Sequence, residues 1–224
     1  MKTTFAKTIL VAAILATVQR CYTQGFVNLN FENANTSGYT PGISFIPSSI
    51  AIPGWSVYLG GSTNPASGVV YDGLSLGGAI VSLQDSNAVS SGYGPIQGNY
   101  SILLQGSTVS TPTTAAIGQT GTIFGGTQSL TFFSSFYGAL QVTFNGQPIS
   151  YLVTGSTANY NIYAADISAF AGQTGQLLFT AAINSSVLLD NIQFSTTAVP
   201  EPSTFVLATL GGVLLGLRRW RKFS

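Results

Sequence analysis

Residues 140–153 read Leu140-Gln141-Val142-Thr143-Phe144-Asn145-Gly146-Gln147-Pro148-Ile149-Ser150-Tyr151-Leu152-Val153. Val142, Thr143 and Phe144 are strand formers, Asn145-Gly146 supplies the positive φ values of a tight turn, and residues 148–153 return as a second strand. Working outward, strand-like runs recur between turn signals. They cover residues 26–31, 50–59 (around Pro53-Gly54), 79–83, 100–105, 129–133, 140–144, 149–153, 160–164, 176–181 and 187–194. Ten or so short strands without a long amphipathic helix predict an all-β fold, a jelly-roll-like antiparallel β-sandwich. Residues 166–172 are the exception, and read as one helical turn capped by Asp166 and ended by Gly172. The sandwich is expected over residues 26–197, the length of one domain. No internal repeat is convincing.

The two ends of the chain read differently. Lys2 and Lys7 precede an apolar run at residues 9–18, the order of a secretory signal peptide over residues 1–25. Cleavage after Gly25, with Thr23 at the minus-three position, fits the small-residue rule. A lipoprotein site at Cys21 is the competing reading, but Val18-Gln19-Arg20 lacks the small residues such a site wants. At the other end, residues 198–224 hold Pro200-Glu201-Pro202-Ser203, an uncharged run over residues 204–217, and then Arg218, Arg219, Arg221 and Lys222. The prolines fix φ and lack N–H donors, so a helix begins only after them, with Ser203 or Thr204 as N-cap. A helix over the uncharged run is about 21 Å long, short of the roughly 30 Å bilayer core. Trp220 and the long basic stems snorkel at the interface and extend it, and the basic cluster keeps its side cytoplasmic. A permanent anchor is the alternative reading. A soluble core helix is disfavoured by Gly211, Gly212 and Gly216 and by the lack of a polar face.

A Pro-Glu-Pro-Ser block (Pro200, Glu201, Pro202, Ser203), one hydrophobic helix and a basic stop together resemble the PEP-CTERM sorting tail of Gram-negative exported proteins. The resemblance implies an exosortase-type membrane protease as partner, which recognises and removes the tail. It implies tethering to the inner membrane through the C-terminal helix before processing, then delivery to the cell surface or extracellular matrix. Association with exopolysaccharide or biofilm, and glycosylation of Ser/Thr-rich stretches such as residues 107–114, follow from the same resemblance. Sequons at Asn35, Asn99 and Asn184 add little to it.

Setting both ends aside transforms the charge. The whole chain carries seven basic and six acidic residues, a formal +1. All seven bases (Lys2, Lys7, Arg20, Arg218, Arg219, Arg221, Lys222) lie outside the body, which keeps Glu32, Asp72, Asp85, Asp166 and Asp190 and a formal charge of −5. Nucleic-acid binding is excluded, because phosphate neutralisation needs cations. Salt bridges cannot hold this body together. Gly73-Leu74-Ser75-Leu76-Gly77 matches the G-x-S-x-G nucleophile elbow, but the chain has no His and its body no Lys to take the serine proton. Zinc chemistry lacks ligands for the same reason. Paired-carboxylate hydrolysis remains formally open, although no two acids are placed for it by sequence.

A second resemblance concerns the body. Residues 166–179, followed by Val187-Leu188-Leu189-Asp190-Asn191-Ile192-Gln193-Phe194, are similar to the C-terminal half of carbohydrate-binding-module and galactose-binding-like jelly rolls. Asn30-Phe31-Glu32 and then Pro53-Gly54-Trp55 look like the opening of the same folds. The resemblance implies a structural Ca²⁺ tying the first strand to the last, with Glu32 and Asp190 in the matching places and backbone carbonyls completing the shell. The alternative leaves Glu32 solvated and Asp190 capping a turn. Glycan sites use aromatic platforms, for which Trp55 and Tyr58 are the named candidates, with Tyr71, Tyr93 and Tyr137 in loop or strand-end contexts. Trp55 is also a natural core plug. The expected function is therefore that of a non-enzymatic, exported surface or matrix protein. A carbohydrate-binding module with a defined glycan ligand is the alternative, and a glycoside hydrolase or lyase stands behind both.

Overall fold

The computed structural model describes residues 25–42, 44–91, 93–109 and 113–199. The expected signal peptide, except Gly25, and the whole 200–224 segment (Pro200, Glu201, Pro202, Ser203, Arg218, Arg219, Arg221, Lys222) lie outside the described residues. Among the described residues no helix is long and apolar enough to cross a membrane.

Among the described residues thirteen strands form two facing sheets. They are β1 Phe45–Pro47, β2 Ser56–Leu59, β3 Gly68–Tyr71, β4 Ile80–Gln84, β5 Ser101–Gln105, β6 Ala115–Thr122 and β7 Ser129–Tyr137. β8 Leu140–Phe144, β9 Gln147–Pro148, β10 Leu152–Ser156, β11 Asn161–Asp166, β12 Thr174–Ala181 and β13 Ser186–Ser195 complete them. One sheet has the order β1-β3-β4-β5-β13-β7-β11-β10, the other β2-β6-β12-β8-β9. The fold is the expected all-β sandwich.

The opening hairpin forms as its sequence predicts. Asn145 and Gly146 take φ of 49° and 75° between β8 and β9, the left-handed pair of a two-residue turn. The return strand differs from expectation, since β9 stops at Pro148 and the chain crosses to the far edge of the other sheet as β10. Ile149 and Tyr151 turn into the core at the crossing, where the Tyr151 hydroxyl donates to the Leu140 carbonyl at 2.6 Å. In β12 the period-two pattern is clean: Leu177, Phe179 and Ala181 face the core, while Gln176, Leu178 and Thr180 face out.

Several expectations need correction. Residues 26–31 are not a strand, because Asn28 and Phe31 adopt left-handed φ of 50° and 58°, two breaks in six residues of extended backbone. The segment is instead pinned by Phe26 and Phe31 in the core. Residues 50–59 split into the end of a one-turn helix, Ser48–Ala51, a turn at Gly54 (φ 89°) and β2. The sheet is not wholly antiparallel either, since β3 and β4 pair in parallel. Strands of four and five residues are so short that residues 72–79 suffice for the crossover. The turn after Asp166 is a 3₁₀ turn, Ser168–Phe170, with the Ser168 N–H donating to Asp166 Oδ1 at 2.9 Å and Gly172 at φ 80°.

The core is an aromatic column between the sheets. Phe132 of β7 stacks on Tyr163 at 5.3 Å and meets Phe179 of the facing sheet edge-on at 5.5 Å. Phe179 reaches Trp55 at 6.4 Å, and Trp55 reaches Phe31 at 5.7 Å. Such pairs add about 0.5–1.5 kcal/mol each beyond burial.

Candidate functional site

Two features of the body have the chemistry of a site. The first joins the chain's opening loop to its last strand. Glu32 Oε1 accepts the N–H groups of Asn99 (2.8 Å) and Tyr100 (3.1 Å), and Oε2 accepts from Asn99 Nδ2 at 2.8 Å. Asp190, on β13, is 1% exposed. Its Oδ2 accepts from Ser101 Oγ at 2.7 Å and from the Gln97 N–H at 3.1 Å, and Oδ1 accepts the Asn191 N–H at 2.6 Å. Both carboxylates line one cavity of about 250 Å³ with Asn30, Gln97, Gly98 and Asn191. Burial pushes Asp190 up to about 6, against the pull of its hydrogen bonds, and the charge of Glu32 adds to the rise.

This donor set fits a hard cation. It offers two carboxylates in one cavity lined also by Asn30, Gln97, Gly98 and Asn191, and no basic side chain in the body balances their charge. Among the described residues no group of three or more His, Cys, Asp or Glu exists, so neutral oxygens would have to complete the shell. Glu32 and Asp190 would hold the ion, which would clamp the opening loop to β13.

The second feature is a cavity of about 310 Å³ on the outward face of the five-stranded sheet. Tyr58 on β2 and Gln176, Leu178 and Thr180 on β12 form its floor, with Gly61 and Ser62 at its rim. Gln176 Nε2 donates to the Tyr58 hydroxyl at 3.0 Å across 118 positions of sequence, which fixes the ring over the sheet. An aromatic ring, amides and hydroxyls without a charge suit an uncharged polar ligand.

Trp55 takes no part in that cavity. It is 3% exposed, packs on Phe31 and Phe179, and its indole N–H donates to the Asn28 carbonyl at 3.0 Å. A ligand cannot reach it, so of the two aromatic candidates only Tyr58 faces outward. The reason is local: the turn at Pro53-Gly54 drives the following side chain inward, while Tyr58 lies three places along on the opposite face of the strand.

The G-x-S-x-G string is the β3–β4 crossover. Ser75 Oγ accepts the Gly77 N–H at 3.1 Å and the Ser75 N–H donates to Gln105 Oε1 at 2.9 Å. Ser75 thus holds a turn together, and no base faces it.

The structure also pairs two acids that sequence reading did not bring together. Asp72 and Asp85 follow the parallel strands β3 and β4, and the Asp85 N–H donates to Asp72 Oδ1 at 2.8 Å. The Tyr71 hydroxyl donates to Asp85 Oδ2 at 2.5 Å. Burial pushes Asp72 up to about 7, with the neighbouring Asp85 carboxylate adding to the rise. Burial acts to raise Asp85 too, but hydrogen bonds from Tyr71, Asn87 and Asp72 hold it below the usual carboxylate range. Tyr71 is pushed up to about 12 by burial and by its bond to Asp85. Burial thus favours the protonated form of Asp72, while the hydrogen bonds to Asp85 favour its ionised form. The signal available in the sequence was an acid directly after each of two apolar runs.

The body's last strand ends at Ser195, and the segment that follows carries its own identity. Residues 198–222 match the PEP-CTERM protein-sorting motif. The motif marks an exported protein sorted by way of the membrane. No curated protein matches the chain. Among solved structures, TmCBM61 in complex with β-1,4-galactotriose is 11% identical, with 78% of this chain and 99% of that one covered at a TM-score of 0.42. The family 11 carbohydrate-binding module from Clostridium thermocellum, in complex with a β-1,3-1,4-mixed-linked tetrasaccharide, is 12% identical over 72% and 99% of the two chains, with a TM-score of 0.36. A cyclase from Fischerella sp. TAU is 13% identical over 75% and 94%, with a TM-score of 0.41. The sandwich stands on its own strand order and register.

Proposed function

We propose that this chain is a non-enzymatic, exported cell-surface or matrix protein, delivered by an exosortase-type sorting system and associated with exopolysaccharide. The observation that carries the reading is the sorting motif at residues 198–222, attached to a body with no basic residue. An exosortase-type membrane protease is the partner of the tail, and a Gram-negative envelope is the setting. Such a body lacks the His or Lys that activates a serine nucleophile. Intact mass of the protein recovered from its producing cells tests the sorting step. The expected result is loss of the residues from about Pro200 onward, whereas a complete C-terminus held in the inner membrane would leave a plain anchor.

A carbohydrate-binding module with a defined ligand is the second reading, favoured by the Tyr58–Gln176 cavity on the outer face of the five-stranded sheet. Titration against a panel of polysaccharides separates the two readings, and release of reducing ends from any of them would make the protein an enzyme instead. In either case the Glu32–Asp190 cradle is a Ca²⁺ site that clamps the opening loop to β13. Chelation is expected to lower the melting temperature of the wild-type protein and to leave that of Glu32→Ala unmoved. Equal melting curves with and without chelator would rule the ion out.

A further inference from the structure

The two poles of the sandwich carry different chemistry. β13 runs from Ser186 to Ser195, and the sorting motif starts at residue 198, so the tail leaves from the pole where β13 ends. Gly25 enters at the same pole, its N–H donating to the Thr122 carbonyl at 3.2 Å at the end of β6. The opposite pole, where β13 begins, is built from the loops around residues 76–79, 106–109, 137–139 and 182–185. Those loops are stitched together: the Thr108 N–H donates to the Gly77 carbonyl (2.8 Å), the Asn184 N–H to the Ser107 carbonyl (3.1 Å), and the Gly106 N–H to the Ser185 carbonyl (2.9 Å). The Ala139 N–H donates to Ser185 Oγ at 2.8 Å.

At that pole Tyr137 stands 79% exposed at the end of β7, beside a cavity of about 140 Å³ that it lines with Ser75, Gln105, Thr108, Asn184 and Ser186. Leu76, Val109 and Ile183 are exposed in the same loops. No lining residue is charged. The body's acids lie elsewhere: Asp166 pairs with Ser129 where β7 starts, Asp190 pairs with Phe133 in mid-strand, and Asp72 and Asp85 follow the tail-side ends of β3 and β4. Glu32 is held by Asn99 and Tyr100, just before β5 begins.

We propose that this tail-distal pole is a second contact site for a neutral polysaccharide, with Tyr137 as the stacking platform and Asn184, Thr108 and Gln105 as the hydrogen-bonding groups around it. The proposal rests on the glycan association put forward above and adds where it occurs. A phenol ring presents an apolar face and a polar edge, which matches the apolar C–H face and hydroxyl rim of a sugar ring. A charge-free site gives no reward to an anionic polymer and no penalty to a neutral one. The cavity is smaller than the roughly 300–1,000 Å³ that encloses a small molecule, so it takes part of a chain on an open surface. Loops fixed by backbone hydrogen bonds hold the groups in place without an ordering cost on binding. While the tail tethers the other pole, this one faces away from the membrane.

The test uses the full chain in detergent micelles, titrated with neutral polysaccharides (galactan, mixed-linked β-glucan, galactomannan) and with anionic alginate. Binding to at least one neutral polymer and not to alginate is expected, with affinity reduced at least about tenfold by Tyr137→Ala and kept by Tyr137→Phe. Asn184→Gly, which suits the positive φ of 55° at that position, removes the amide and is expected to weaken binding as well. Because Tyr137 is exposed, its truncation leaves the core intact. If wild type binds and Tyr137→Ala binds equally well while Tyr58→Ala does not, the polar site is overturned and the sheet-face cavity takes its place. If wild type binds no polysaccharide, glycan association fails and this site with it.

Discussion

Two residues show how burial decides what a side chain does here. Trp55 has the chemistry of a ligand platform but ends as the joint between Phe31 and Phe179. Truncating it opens a cavity that the facing sheets cannot close, so Trp55→Ala is expected to cost about 3–5 kcal/mol in denaturant unfolding. A loss below about 1 kcal/mol would mean that the column is not continuous. Asp72 makes the opposite case. Folding pushes its carboxyl up to about 7 from an ordinary 3.8, so the folded state binds a proton that the unfolded chain has released. Its contribution is fully present below about pH 4 and is lost as pH rises through 7. Asp190, pushed up to about 6, acts in the same direction, whereas the lowered Asp85 contributes above its unfolded value and loses that contribution in strong acid. Stability should therefore peak near pH 4 and fall between about pH 4 and 7. Asp72→Asn should flatten that fall, and a melting temperature that rises across the window would contradict the assignment.

Among the elements, β6 shows why part of the sandwich was hidden. Its sequence, Ala115-Ala-Ile-Gly-Gln-Thr-Gly-Thr122, has two glycines and little strand propensity, yet at eight residues it equals β12 in length and pairs with both β2 and β12. Gly121 is required by close approach, since a Cβ there would lie 2.9 Å from the ring of Phe26. Gly121→Val is accordingly expected to cost more than about 1 kcal/mol despite its higher β-propensity, which thermal melting of the variant would show. β8, β12 and β13 were legible because alternation and the Asn145-Gly146 turn are local signals. β1, β3 and the parallel pairing of β3 with β4 were not, because three- and four-residue strands carry no periodicity. The sites divide along the same line. Glu32 and Asp190 could be named only through a family resemblance, and their shared cavity depends on Asn99, Gln97 and Ser101 from a third segment. The Tyr58–Gln176 contact and the Asp72–Asp85 pair join residues that only the sheet register brings together.

The whole body is held without ion pairs, since it contains five acids and no base. Its stability comes from the apolar interior and the ladders, while its charges only repel one another. Repulsion between charges separated by more than a few ångströms is screened as the Debye length falls from about 30 Å at 0.01 M salt to about 3 Å at 1 M. The melting temperature at pH 7–8 should therefore rise with sodium chloride, the reverse of a protein stabilised by surface ion pairs, and Asp72→Asn should reduce the slope. Calcium separates from this general effect by its concentration dependence. A cation bound between Glu32 and Asp190 would begin to stabilise near its dissociation constant and would then do so in proportion to the logarithm of its concentration, whereas screening by sodium acts only as the ionic strength rises toward molar levels. Measuring both curves on wild type and on Glu32→Ala tells them apart: the calcium step should vanish in the variant and the sodium slope should persist. A melting temperature that falls with sodium chloride would mean that attractive charge pairs exist where the composition allows none.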